Sequence, residues 1–162
     1  MGRESMLNKK PMLLVLAGPN GSGKSTITQY FEIAGSYTNA DEVVSATGMT
    51  NEEAGYFIKC VFILTVAPTI NIARVEARVA SGGHNVNREK IVSRYYKALR
   101  NIKVLMEICD ILHVYDNSIE PVRIIRKHKE DISIFPNDLW TEDKILQLLD
   151  GSISDEKKGS AD

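Results

Sequence analysis

The run Gly18-Pro19-Asn20-Gly21-Ser22-Gly23-Lys24-Ser25-Thr26 holds residue types that can grip a nucleotide's phosphates, at the spacing such a grip requires: Gly, four residues, then Gly-Lys-Ser. The glycines open backbone conformations closed to other residues, so successive N–H groups can turn inward onto phosphate oxygens. Lys24 supplies a point charge for the β and γ phosphates, and the Ser25 hydroxyl suits Mg²⁺. A helix starting near Lys24 adds the positive end of its dipole. Residues 18–26 are therefore the predicted cofactor-binding set, with ATP and Mg²⁺ as cofactors and Ser25 as the metal ligand.

Phosphoryl transfer also needs a carboxylate to take the acceptor's proton and arginines to balance charge on the moving group. Asp41, after a short extended piece Ser36–Ala40, is the candidate carboxylate, and it also reads as the N-cap of a helix over 41–46. Arg74 and Arg78 lie one helical turn apart, and Arg88 and Arg94 follow across Gly82-Gly83-His84-Asn85-Val86. Two helices joined by such a turn, with arginines facing inward, would form a lid over phosphates. Solvated arginines paired with neighbours such as Glu76 are the other reading of the same positions. His84 reads as a loop residue, and His113 and His128 as structural. Asp110 and Asp116 suit turns better than a water-bridged Mg²⁺ contact.

The elements that must position this chemistry are legible in outline. Met12–Ala17 is a buried-strand run, and Ser25–Ala34 reads as a helix stopped by Gly35. Thr50-Asn51-Glu52-Glu53 has capping-box spacing, yet Gly55 follows at once and Tyr56–Val66 is an apolar, β-branched strand. Pro68 opens a helix to about Ser81. Asn87 caps a longer one with Ile91, Tyr95, Ala98, Leu99, Ile102, Leu105 and Ile108 on one face. Ile111–Tyr115 and Val122–Lys127 read as strands, and Thr141 caps a last helix to Leu149. Strands alternating with helices predict an α/β fold with a mainly parallel sheet and its ligand at the strand C-termini.

Composition narrows the class. At 162 residues and 43% apolar content the chain suits one domain, with a tail over 1–10, the domain over 11–150 and a disordered tail over 151–162. Its formal charge of -1 is far from the basic balance of a nucleic-acid binder. Cys60 and Cys109 stand in apolar runs without metal-ligand spacing, which predicts buried thiols in a reducing, cytoplasmic setting. No apolar run reaches the ~20 residues that cross a bilayer, and neither a myristoylation nor a signal-peptide reading fits the N-terminus. The elements that mark GTPases and ABC ATPases are absent. The apolar strand Val61-Phe62-Ile63-Leu64-Thr65 ends without the carboxylate of motor and AAA-type ATPases. A small kinase needs less, and its parts are present.

Taken together, Gly18–Thr26, Asn39-Ala40-Asp41, Arg74-Val75 with Arg78-Val79, Gly82-Gly83-His84-Asn85-Val86, Ile91-Val92-Ser93-Arg94-Tyr95 and Val114-Tyr115-Asp116-Asn117-Ser118 resemble the zeta toxin family, in matching order over residues 11–149. That family comprises phosphate-loop kinases that use ATP to phosphorylate a UDP-linked amino sugar, typically UDP-N-acetylglucosamine. The resemblance implies a three-layer P-loop kinase-like sandwich, with Lys24 and Ser25 on MgATP, Asp41 as the catalytic base, and Arg78 and Arg94 holding the phosphates. An antitoxin would be a partner. One unit of the family is missing: between Glu53 and Tyr56 its members carry a helix, a strand with a Glu-Thr pair and a further helix, which help to bind the sugar nucleotide. Even one strand-plus-helix unit takes about 30 residues, so no loop here can hide it. The expected function is accordingly a kinase acting on a hydroxyl of a sugar nucleotide, and the alternative is a nucleotide-binding protein without kinase activity.

Overall fold

The computed structural model describes residues 12–29 and 55–155. Asp41, the extended piece before it, the helix read over 41–46 and the capping box lie outside the described residues, as do the N-terminal tail and residues 156–162.

Among the described residues, five strands form one mixed sheet in the order β1 (Met12–Ala17), β2 (Phe57–Leu64), β3 (Ile111–Asp116), β4 (Val122–His128) and β5 (Asp131–Ile134). β1, β2 and β3 run parallel, and β4 and β5 are antiparallel to their neighbours. The parallel half is the one expected. β5 escaped notice because its four residues follow a charged turn and stop at Phe135-Pro136, too short for a clear alternation. Its connection to β4 turns through Lys129, whose φ of 53° is in the left-handed region.

The helices are α1 (Lys24–Thr28), α2 (Pro68–Ala80), α3 (Arg88–Arg100), α4 (Ile102–Ile108) and α5 (Glu142–Asp150). The single helix expected from Asn87 to Ile108 is divided at Asn101, which closes α3 on the carbonyls of Lys97 and Ala98 and opens α4 by accepting from Leu105 N. The apolar face continues across the break, which is why periodicity did not reveal it: Leu99 and Ile102 are both fully buried. After α5, Gly151 takes φ 73°, and the chain continues to Asp155, which pairs with Arg100 at 2.9 Å. Ile153 packs against the main core.

Strand alternation gives the sheet two distinct faces. One carries Cys60, Phe62 and Leu64 of β2 with Leu112 and Val114 of β3, and is covered by Tyr95, Tyr96 and Leu99 of α3, Ile102 of α4, and Ile145 and Leu148 of α5. A register slip between Val114 and Tyr115 turns both Ile124 and Ile125 into this core. Cys60 and Cys109 are both free and buried in it, as expected. The neighbouring Cys109 thiol pushes Cys60 up, and Cys60 in turn holds Cys109 down. The opposite face holds a smaller cluster in which Ile27 of α1 packs on Val61, Ile63, Leu14, Leu16 and Tyr115. Thus α1 lies on one face, and the helices joining β2 to β3 lie on the other.

Candidate phosphate-binding site

The run 18–26 leaves the C-terminal end of β1 and turns into α1, the strand-loop-helix context its spacing requires. Three scaffold elements press on this loop. Gly18, at φ 142°, stands where a Cβ would lie 2.1 Å from the Ile63 carbonyl of β2. Gly23 caps α1 at φ 91°, and a Cβ there would lie 2.2 Å from Asn117 Nδ2. Gly21 packs against the Asn71 backbone of α2, whose carbonyl would lie 2.6 Å from an added Cβ. The glycines thus let the loop bury its back against the fold, besides any approach of phosphate to its front.

Side chains then tie the loop from behind. Asn71 Nδ2 donates to Asn20 O at 2.7 Å, and Asn117 Nδ2 donates to Ser22 O at 3.0 Å. Thr65, at the end of β2, brings its hydroxyl within bonding reach of Asn71 Oδ1 and of Ala67 O. Its own carbonyl accepts from Tyr95 Oη at 2.7 Å in the buried core. Asn117 N donates to Leu64 O at 2.8 Å, and Ser118 Oγ donates to Asp116 Oδ1 at 2.6 Å while accepting from Val66 N at 2.8 Å. The turn after β3 is thereby locked to the end of β2 and to the loop.

Arg74 is the largest departure from the sequence reading. Its guanidinium reaches Asn117 O at 2.7 Å and Ser118 O at 3.2 Å through Nη2, and Gly21 O and Ser22 O at 3.4 Å through Nη1. It braces the loop against the β3 turn and is no lid arginine. Arg88 is likewise engaged elsewhere, with Glu76 at 2.5 Å on the exposed surface. Arg78, one turn beyond Arg74, is exposed and close to Lys24. Burial first, and then the positive charge of Arg78, hold the Lys24 ammonium below its ordinary range. Lys24 Nζ donates to Gly18 O at 2.5 Å and to Pro19 O at 3.0 Å. Arg94 lies on the exposed side of α3 and lines a shallow cavity of about 410 Å³ with Glu89, Lys90 and Ser93. The charge of Arg78 thus reaches the loop lysine, while Arg94 is exposed on α3.

Ser25 and Thr26 are exposed in the first turn of α1, and Ser22 is fully buried with its hydroxyl unpartnered among the described residues. An unpaired buried hydroxyl costs about 1–3 kcal/mol unless water or a ligand meets it. No cluster of three His, Cys, Asp or Glu side chains among the described residues would hold a metal. Mg²⁺ on a nucleotide does not need one, since a single hydroxyl, waters and phosphate oxygens complete its shell. Asp110, by contrast, is a turn residue: its Oδ2 accepts from Ile58 N at 2.8 Å.

Sequence reasoning missed Asn71, Thr65 and Tyr95 as loop supports, and it read Arg74 by helical spacing alone. Only Thr65 carried a signal, its position just beyond the C-terminus of β2, where α/β sheets build their sites; Asn71 and Tyr95 lie inside helices and carried none. No helix of the described residues is long and apolar enough to cross a membrane. Compared with protein-family models, with curated proteins and with solved structures, the chain gives no match.

Proposed function

We propose that the protein is an ATP-dependent kinase of P-loop type that transfers the γ-phosphate to a hydroxyl of a sugar nucleotide similar to UDP-N-acetylglucosamine. The observation that carries this reading is the loop 18–26, held from behind by β2, α2 and the β3 turn, with Lys24 Nζ folded onto its Gly18 and Pro19 carbonyls. A rigid backing of this kind keeps inward N–H groups from reorganising when charge develops on the phosphates.

Topology supports the same reading: the loop stands at the C-terminal end of β1, α1 lies on one face of the sheet with α3 and α4 on the other, and open α/β sheets bind ligands outside their strand C-termini.

In the reaction, Lys24 and the loop N–H groups bind the phosphates, Arg78 faces the transferred group, and Asp41 accepts the acceptor hydroxyl's proton. Ser25 would hold Mg²⁺, which would neutralise charge on the phosphates. Calorimetric titration with MgATP should show binding that Lys24→Ala abolishes. Asp41→Ala should keep that binding and lose ADP release with UDP-sugars. Full turnover of Asp41→Ala would remove the base assignment.

A second reading is favoured by the span of residues 30–54 between α1 and β2, too short for the family's acceptor-binding unit. In it the protein binds nucleotide without transferring phosphate. ATP binding with no acceptor-dependent ADP release across a UDP-sugar panel would select it.

A further inference from the structure

The sheet face that carries α1 changes character from β1 to β4. Cross-strand register places Lys59 of β2, His113 and Tyr115 of β3, and Arg123, Arg126 and His128 of β4 on this one face. All but His128 are half-buried, and His128 is exposed. Ile27 covers the apolar end at Val61 and Ile63, and beside it Lys59, Arg123 and Arg126 keep part of their surface accessible. Arg123 is held in place, with its guanidinium 5.4 Å from the centre of the Phe135 ring and Nη1 3.5 Å from His113 Nδ1. Among the described strand residues, the one carboxylate on this face is Asp131, opposite His128 at its far end. Three permanent cations therefore surround a histidine, within the ~10 Å that separates β2 from β4, with a single carboxylate beside them among the described strand residues.

We infer that this face is a docking surface for an acidic, extended segment of a protein partner. Charge complementarity selects the occupant. Arg126 and His128 stand two residues apart along β4, about 6.6 Å, and carboxylates at alternate positions of an extended peptide repeat at the same distance. The patch matches two or three carboxylates. A long polyanion such as RNA would meet a chain of net charge -1, without the wider positive field that carries phosphate-backbone binding. The local potential is visible on His113. Burial, and then the charges of Arg123, Lys59, Arg126 and His128, push its pKa down to about 4, and an acidic segment lying across it would raise that value. The surface uses none of the phosphate-loop residues.

The test is fluorescence anisotropy of the full chain with a labelled hexaglutamate peptide and with a labelled oligouridylate of equal charge, at low and high salt. The peptide should bind, weaken at least tenfold between 50 and 300 mM salt as screening shortens the field, and bind at least tenfold more weakly to Arg123→Glu/Arg126→Glu. Arg126→Gln and Lys59→Gln, milder changes that leave Arg123 on Phe135, should each weaken it severalfold if the charge-reversed variant does not fold. Proton NMR of His113 should move to a higher pKa on adding the peptide. Binding of oligouridylate without the peptide overturns the proposal in favour of nucleic acid. Binding of neither probe overturns it, and so does undiminished peptide binding by the arginine variants.

Discussion

Arg74 and Asn117 show at the residue scale how the glycine-rich loop 18–26 is held from behind. One guanidinium reaches four carbonyls on two segments, and one amide fills the space that Gly23 leaves open. Charge-assisted hydrogen bonds of this kind contribute about 1.5–3 kcal/mol when made by a partly buried group. Arg74→Gln should therefore lower ATP affinity about tenfold or more by calorimetry and reduce the melting temperature. Arg74→Lys should recover little, because an ammonium lacks the planar fork. Gly23→Ala should cost about 1–2 kcal/mol through its left-handed φ alone, with the clash at Asn117 added. Adding Asn117→Ala should relieve only the clash, so a double-mutant cycle by urea denaturation should show coupling without full recovery. His113 gives a pH prediction. Its folded pKa, about 4, lies below the ordinary 6.5, so the unfolded chain binds the proton first. Stability on this account is constant above pH 6.5 and falls as pH drops from 6.5 towards 4. Denaturation midpoints of His113→Gln should fall less over that interval than those of the native chain.

At the scale of elements, α2 couples the core to the site. Asn71 and Arg74 are three residues apart on its loop-facing side, and Thr65, hydrogen-bonded to Tyr95, seats its N-terminal end. Tyr95→Phe removes one buried hydrogen bond, worth about 1 kcal/mol. It should lower stability by that amount and weaken ATP binding, although Tyr95 lies in the core and not at the loop. Unchanged affinity would mean that the α2 seat tolerates loss of this contact. Much of this scale was legible beforehand: β1, β2, α2, β3, β4 and α5 fall within a few residues of the spans their patterns predict. β5 and the Asn101 break were not, because four residues are too few for a period and an apolar stripe runs straight through a break that leaves its face aligned.

At the scale of the whole molecule, nucleotide binding and folding should be linked. A ligand that binds only the folded state at a hundred times its Kd adds about 2.7 kcal/mol, several degrees in melting temperature for a domain of this size. MgATP should raise the melting temperature of the native chain by that much and leave Lys24→Ala unmoved. The placement of α1 opposite α3 and α4 belongs to this scale too, since it puts helices on both faces of the sheet.

The sequence by itself determined the glycine-rich loop 18–26, the alternating strands and helices that frame it, and the buried thiols, because each depends on residue type at short spacing. Only the tertiary structure decided that Arg74 is a brace while Arg78 stays exposed, since helical spacing puts both on one face and only packing separates their surroundings. It alone gathered Lys59, His113, Arg123 and Arg126, far apart in the chain, onto one sheet face, because cross-strand register is a property of paired strands and not of any one of them.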